Sequence, residues 1–246
     1  MTAVPSAREV TTRDGVRIAF NHYAAPGRDA AVVVGHGFFS CKDGRSHRRL
    51  AEALAASADV VSMDFRGHGR SGGWYTFSAR EGADLDAVLD WAAARYARLA
   101  LIGFSLGGAV ALTSAARHRA RLRGVAAVSA PSEFRRIEYK FWTRRAIVGG
   151  FRSLGPGSGC RPGNIFLRKP RPVDAIALLD GLPVLLVHGT EDPIVGLAHS
   201  QRLYEAAREP KRLAVIRGGG HAEWLIREDL GGLGALLREW IDATLR

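Results

Sequence analysis

The chain has 246 residues, of which 47% are hydrophobic and 24% are charged. This balance is that of an ordinary globular domain, so we expect one domain over residues 1–246. No apolar run approaches the length of a membrane span, which excludes a transmembrane helix from the predicted elements. The 35 basic and 24 acidic residues give a net charge of +11. Two interpretations stay open: an arginine-rich compositional bias, and attraction of anionic substrates or surfaces.

The N-terminal segment and the cysteines both favour a cytoplasmic location. Residues 1–18 contain no apolar core followed by a cleavage site, so nothing marks them for secretion. Cys41 and Cys160 lie far apart and match no metal or redox spacing. We therefore expect free thiols in a reducing compartment.

Strands and helices alternate along the chain. Short β-branched apolar runs indicate strands, and apolar residues that recur every three or four positions, such as Leu85, Val88 and Ala92, indicate helices. In chain order we predict strands at 16–23 and 30–35, a helix at 45–56, a strand at 59–64, a helix at 80–96, a strand at 99–103, a helix at 106–117, strands at 125–129, 183–188 and 212–216, and a helix at 229–245.

Apolar strands that alternate with helices predict an α/β fold, with a parallel sheet of about seven or eight strands covered on both faces. Residues 132–172 interrupt the alternation. This segment has ten basic and two acidic residues, a net charge of +8 over 41 residues, and it includes Phe141 and Trp142. We interpret it as a small basic insertion above the sheet rather than a second core.

The pattern G-x-S-x-G occurs twice, around Ser71 and around Ser105. A serine hydroxyl becomes a useful nucleophile when a sharp strand-to-helix turn exposes it beside a base, and that turn requires small neighbours. A predicted strand precedes Ser105 and a predicted helix follows it, whereas no helix begins after Ser71. The context therefore selects Ser105 as the candidate nucleophile.

A base and an acid for Ser105 should follow later strands, because the carboxyl ends of parallel strands meet at one edge of the sheet. Asp192 follows the strand at 183–188, and His221 follows three glycines after the strand at 212–216. Asp192 could instead be a turn residue, and the adjacent Glu191 could be mistaken for it. We predict Asp192 as the acid and His221 as the base.

Two backbone amides are candidates for the oxyanion hole. The first is that of Phe38, in the loop after the strand at 30–35, and the second is that of Leu106, directly after the nucleophile. His36 lies in the same loop and could be mistaken for the base. We predict that it holds the loop by hydrogen bonds instead.

These residues resemble the α/β-hydrolase superfamily. The resemblance covers residues 12–245 and rests on the order Ser105, Asp192, His221, with GHGF at 35–38 and DFRGHGRS at 64–71. Small carboxylesterases are similar: cinnamoyl or feruloyl esterases, monoacylglycerol lipases and the serine aminopeptidase group. The resemblance implies an eight-stranded, mostly parallel sheet flanked by helices, with the insertion at 132–172 as a lid and the 64–71 turn as a structural element. The insertion matches no lid motif of the family and lacks acidic residues for a free amino terminus, which counts against a peptidase.

The predicted function is that of a serine hydrolase that cleaves carboxylic esters through an acyl-enzyme. We expect small-molecule esters with short- to medium-chain or aromatic acyl groups. No metal-binding or nucleotide-binding spacing occurs, so we expect no cofactor. The predicted substrate pocket is apolar and comprises Phe38, Phe39, Phe104, Trp142, Ile194, Val195, Trp224 and Leu225.

Several alternatives stay open. A thioesterase, a carbon–carbon bond hydrolase or a perhydrolase could use the same triad. A non-catalytic binding module would lack a triad member, and none is lacking. The basic insertion, with Phe141 and Trp142 among arginines and lysines, could bind an anionic membrane or nucleic acid. We favour a solvated lid whose aromatic residues line the acyl pocket, and we expect no nucleic-acid partner. The oligomeric state stays open.

Overall fold

The computed structural model describes residues 5–137 and 159–246. The described ranges contain one eight-stranded sheet, in the order β1-β2-β4-β3-β5-β6-β7-β8. Their bounds are β1 Ser6–Thr11, β2 Arg17–Tyr23, β3 Ala30–Gly35, β4 Asp59–Met63, β5 Arg98–Phe104, β6 Gly124–Val128, β7 Val184–Gly189 and β8 Lys211–Ile216.

The sheet is mostly parallel, as predicted. β2 pairs antiparallel with β1 and with β4, and every other pairing is parallel. The seven predicted strands are present to within one or two residues. β1 was not predicted, because its sequence SAREVT has no apolar run. It forms the edge of the sheet, where most of its side chains face solvent.

Helices cover both faces, and the strands bury alternate residues against each. On one face Val33 and Leu101 pack with Leu89 and Leu112. On the other face Val32 packs with helices that follow β3 and β8. The helices are α1 Arg45–Leu54, α2 Glu81–Ala93, α3 Leu106–Arg117, α4 Pro172–Ile176, α5 Ala198–Ala206, α6 Glu223–Glu228 and α7 Leu230–Thr244, with 3-10 turns at Arg119–Arg121 and Phe134–Arg136. No helix in the described ranges is long and apolar enough to span a bilayer.

The register brings four loops to one edge of the sheet. Gly35 at the end of β3 pairs with Gly103 near the end of β5, so the loop at 36–38 leaves the sheet beside Ser105. Gly189 at the end of β7 pairs with Ile216 at the end of β8. The loops that carry Asp192 and His221 therefore also leave the sheet side by side.

The second serine turn is structural, as predicted. Ser71 is 2% exposed, its Oγ donates to the carbonyl oxygen of Asp64 at 2.7 Å, and the same Oγ accepts from the N–H of Ala19 at 2.9 Å. The first bond closes the 64–71 turn, and the second ties this turn to β2. The hydroxyl has no freedom left for nucleophilic attack.

Both described ends of the insertion are tied to the domain. At its start, the backbone N–H and Oγ of Ser132 lie 3.0 and 2.9 Å from Nδ1 of His199 on α5. At its return, the N–H of Arg161 donates to Gly67 at 2.7 Å and the carbonyl of Arg161 accepts from Tyr75 at 2.8 Å. Gly67 of the 64–71 turn and Tyr75 therefore hold the segment that follows the insertion's undescribed residues. Phe141 and Trp142 lie outside the described residues, and the lid role of the insertion stays a prediction.

Candidate active site

Ser105 lies on a sharp turn between β5 and α3. Its φ of 51° and ψ of −115° are a conformation that costs energy for any residue with a side chain. Close packing around the turn allows no side chain two positions away on either side. A Cβ at position 103 would lie 2.2 Å from the carbonyl oxygen of Gly107, and a Cβ at position 107 would lie 2.4 Å from that of His36. The glycines of the motif are thus required by sterics.

His221 connects Ser105 to Asp192. Its Nε2 lies 2.9 Å from Oγ of Ser105, and its Nδ1 lies 2.7 Å from Oδ2 of Asp192. In the neutral imidazole, Nδ1–H donates to the carboxylate and Nε2 accepts from the hydroxyl. The structure thus brings together the three residues that the sequence selected, with the base oriented to receive the serine proton.

Asp192 is fully enclosed and held by several donors. Its Oδ1 accepts from the N–H groups of Ile194 and Val195, both at 2.9 Å, and Nε2 of His188 lies 3.4 Å from Oδ2. Burial raises the pKa of Asp192, but the charge of His221 and hydrogen bonds from both histidines outweigh burial and leave that pKa below its usual range. The carboxylate therefore stays ionised and fixes the tautomer of His221. Asp192, and not Glu191, faces the histidine.

Of the two candidate oxyanion donors, Leu106 directly follows Ser105, and Phe38 follows Gly37, where a Cβ would lie 3.1 Å from Cβ of Ser105. Leu106 is the first residue of α3, where N–H groups have no partner within the helix. In the facing loop, the N–H of Gly37 is occupied, because it donates to Oε1 of Glu223 at 2.6 Å. Phe38 is the next residue, so its amide is the nearest candidate in that loop. The oxyanion roles of Phe38 and Leu106 stay predictions.

Comparison with known proteins identifies the family. A model of the alpha/beta hydrolase fold family matches residues 30–153, half of the chain. This chain belongs to the α/β hydrolase family. An uncharacterized protein of Mycobacterium tuberculosis is 32% identical over 229 residues, which cover 89% of this chain and 74% of that protein. The similarity to that protein thus extends over most of the sequence.

Two further relatives are esterases by name. The pimeloyl-[acyl-carrier protein] methyl ester esterase of Chromobacterium violaceum is 36% identical over 113 residues, which cover 46% of this chain and 41% of that protein. The structure of an esterase from Pyrococcus furiosus superposes with a TM-score of 0.77 at 23% identity, covering 99% of this chain and 94% of that one. At that identity the superposition establishes the α/β hydrolase fold alone.

His36 of this α/β hydrolase holds its loop, as predicted. Its ring Nδ1–H donates to the carbonyl of Gly37 at 2.7 Å, and its Nε2 accepts from the N–H of Phe65 at 3.2 Å. Burial lowers the pKa of His36 to about 4. A neutral imidazole with both nitrogens engaged ties the loop after β3 to the loop after β4.

The predicted pocket needs correction. Phe104 and Leu225 are at most 1% exposed and pack in the core on the α1 and α7 face of the sheet. Phe104 precedes Ser105 on a strand, so its side chain points to the opposite face. Val195 is equally buried. Trp142 lies outside the described residues. The substrate roles of Phe39, Ile194 and Trp224 stay predictions, and Phe39 is 48% exposed.

An aromatic cluster beside the loop at 36–38 escaped the sequence analysis. The ring of Phe38 stacks on Tyr75 at 5.3 Å and meets Phe77 edge-on at 5.7 Å, and Phe77 in turn meets Phe134 at 5.9 Å. Phe38, Phe77 and Phe134 are half-buried. Only the run WYTF at 74–77 could have indicated this cluster, and nothing in the sequence places it next to residue 38.

Backbone strain is concentrated at this edge of the sheet. Apart from glycines, the described residues with positive φ all lie in loops that follow strands β3 to β6 and β8 at their carboxyl ends. Such conformations persist where the surrounding structure fixes them, typically at functional sites. They are Phe39, Phe77, Ser78, Ser105, Ser129 and Ala222.

The acid limb of the pH profile follows from the surroundings of His221. Burial lowers the pKa of His221, but the charge and hydrogen bond of Asp192, with the charge of Glu223, outweigh burial and raise that pKa above 6.5. Only the neutral imidazole accepts the serine proton, so kcat/KM should rise with pH through a midpoint above 6.5. Ester hydrolysis measured from pH 5 to pH 9 checks this, and a midpoint at or below 6.5 would contradict it.

Proposed function

We propose that this α/β hydrolase cleaves carboxylic esters by acyl transfer to Ser105. The observation that carries the proposal is the unbroken chain from Oγ of Ser105 through His221 to Asp192, with contacts of 2.9 and 2.7 Å. Membership of the family and the relative that is named a methyl ester esterase support the reaction class. The substrate is a small-molecule ester.

The mechanism has two halves that share one base. His221 takes the proton of Ser105 as Oγ attacks the ester carbonyl, and Asp192 stabilises the imidazolium that forms. The amides of Phe38 and Leu106 donate to the oxyanion of the tetrahedral intermediate. His221 then protonates the leaving alcohol as its bond to the carbonyl carbon breaks, which leaves the acyl group on Oγ. Water, deprotonated by the same histidine, attacks the acyl carbonyl. His221 returns this proton to Oγ as the acyl–Oγ bond breaks, which releases the acid and restores Ser105.

The aromatic cluster supports a preference for apolar acyl groups. Phe38 carries a candidate oxyanion amide, so its ring and that of Phe77 lie close to where the ester would sit. Half-buried aromatic rings offer apolar surface for an alkyl chain and a face for stacking of a planar group. We propose short- to medium-chain or aromatic acyl esters as the substrate class.

A series of p-nitrophenyl esters from acetate to palmitate, with benzoate added, tests this function. We expect hydrolysis of the short esters and of benzoate, with kcat/KM falling for the longest chains. Thioesters of the same acids, measured in parallel, distinguish a thioesterase. Absence of hydrolysis of every ester in the series would overturn the proposal.

A further inference from the structure

Glu223 lies two residues after His221, at the start of α6, and reaches across the site. Its Oε1 accepts the N–H of Gly37 at 2.6 Å and also lies 3.2 Å from Nε2 of His47 on α1. The contact with Gly37 joins residues 186 positions apart in the chain. The Glu223 side chain is 14% exposed and that of His47 is 1% exposed.

We propose that Glu223 is a positioning residue that holds the oxyanion loop, residues 36–38, against the loop of the catalytic histidine. This inference rests on the proposed ester hydrolysis. The N–H of Gly37 belongs to the peptide between residues 36 and 37, and Glu223 holds it. The carbonyl of Gly37 belongs to the next peptide, which carries the Phe38 amide, and Nδ1–H of His36 donates to it at 2.7 Å. With the peptides on both sides of the Gly37 Cα held, the directions in which the Phe38 amide can point are limited.

The packing at Gly37 supports this role. A Cβ at position 37 would lie 2.7 Å from Oε1 of Glu223 and 3.1 Å from Cβ of Ser105. The carboxylate, the nucleophile and the oxyanion loop thus meet at one Cα that carries no side chain. Loops after β3, β5 and β8 are locked together at this point, and a shift of any one would change the distance between Ser105 and its oxyanion donors.

The carboxylate is charged when it makes these bonds. Burial raises the pKa of Glu223, but the hydrogen bond and charge of His47, the charge of His221 and the N–H of Gly37 outweigh burial and lower that pKa to about 2. An ionised acceptor binds a backbone N–H more strongly than a neutral one. His47 fixes the carboxylate from the side of α1, where its ring packs edge-on against Phe104 at 5.3 Å.

The charge of Glu223 also acts on His221. It favours the protonated imidazole, as Asp192 does more strongly. The other titratable groups near these carboxylates are His188, which contacts Asp192, and His47, which contacts Glu223 and packs beside His36. Positioning and charge are therefore two separate contributions of one side chain, and two substitutions separate them.

The test compares Glu223→Asp with Glu223→Gln. Asp keeps the charge but is one methylene shorter and withdraws from the N–H of Gly37, whereas Gln keeps the length and a carbonyl acceptor. We expect kcat for p-nitrophenyl acetate to fall about 10- to 100-fold in Glu223→Asp, with KM changed by less than about threefold. In Glu223→Gln we expect a smaller loss of kcat than in Glu223→Asp, because a neutral carbonyl still reaches the N–H of Gly37 but binds it more weakly. We also expect the acid limb of kcat/KM to move to lower pH in Glu223→Gln.

Asp59→Ala is the control. Asp59 is a buried carboxylate at the start of β4 that accepts the N–H of Ala25 at 3.0 Å and the hydroxyl of Tyr96 at 2.7 Å. It pairs with Ala31 at the start of β3, at the opposite end of the strands from residues 36–38. Its loss should lower the melting temperature as Glu223→Asp does, while kcat stays within about threefold of wild type. An equal kcat loss in both variants would reduce Glu223 to a general stabilising residue and overturn the inference.

Other kcat results would also overturn the positioning role of Glu223 or the proposed function. Wild-type kcat in Glu223→Asp, or a larger kcat loss in Glu223→Gln than in Glu223→Asp, would overturn the positioning role while leaving ester hydrolysis intact. Absence of ester hydrolysis by the wild-type protein would instead overturn the proposed function itself. The two failures are therefore distinguishable in one set of assays.

Discussion

Replacing Ser105 with alanine is expected to lower kcat for ester hydrolysis by at least about 10⁴-fold, because no other group forms the acyl-enzyme. The hydroxyl oxygen of Ser105 lies 2.9 Å from Nε2 of His221, the candidate base. The substitution removes one atom from a rigid turn and keeps the backbone of the elbow. The melting temperature should therefore change little. Initial rates with p-nitrophenyl butyrate, at protein concentrations high enough to detect the residual rate, measure the effect.

Ser71→Ala is the control, because Ser71 occupies the same sequence pattern without the same chemistry. Its hydroxyl bonds to Asp64 and Ala19 in a buried turn. Its loss should cost about 1–3 kcal/mol of unfolding free energy and leave kcat within a few-fold of wild type. The assignment of the nucleophile would be contradicted if Ser105→Ala kept its hydrolytic activity. It would also be contradicted if a stably folded Ser71→Ala lost its activity while Ser105→Ala did not.

Among the substitutions proposed here, Gly107→Ala is expected to cause the largest loss of unfolding free energy. A Cβ at this position would lie 2.4 Å from the carbonyl oxygen of His36 and 2.5 Å from that of Gly35. Both atoms belong to the backbone at the end of β3, which is hydrogen-bonded to β4 and β5, so neither can move alone. We expect a loss of more than about 4 kcal/mol of unfolding free energy, or failure to fold, since α3 must separate from β3.

Gly231→Ala is the matched control in the first turn of α7. The nearest atom to a Cβ there is Oδ1 of Asp229, at 3.9 Å, and the residue is exposed. Alanine favours the helix, so this variant should be neutral or gain up to about 1 kcal/mol. Urea unfolding of both variants measures the contrast. A Gly107→Ala protein within about 1 kcal/mol of wild type would show that the packing at the elbow is looser than the structure indicates.

The sequence predicted the parts of the fold that depend on local apolar pattern. Buried parallel strands appear as continuous apolar runs, such as AAVVVG at 30–35, and the structure places this run in the centre of the sheet. The edge strand at Ser6–Thr11 has no such run. Each triad candidate directly follows a predicted strand, and this placement predicted that the three side chains meet at one edge of the sheet. Ser105, Asp192 and His221 follow strands β5, β7 and β8 and do meet.

The pocket was harder to predict, because it depends on side-chain direction and on contacts distant in sequence. Phe104 is aromatic, as a pocket residue would be, but alternation along a strand places its side chain on the other face of the sheet. Phe77 and Glu223 were missed for a different reason. Nothing local in the sequence connects residue 77 or residue 223 with the loop at 36–38. Only the folded sheet edge brings them together.

The most direct test of the account is to identify the residue that becomes covalently modified. A fluorophosphonate probe reacts with an activated serine and leaves a stable adduct on its Oγ. We predict one adduct per chain by intact mass, located at Ser105 by peptide mapping, with hydrolysis lost in proportion to labelling and no adduct in Ser105→Ala. An adduct on another residue, or full hydrolysis by protein labelled completely at Ser105, would contradict the account.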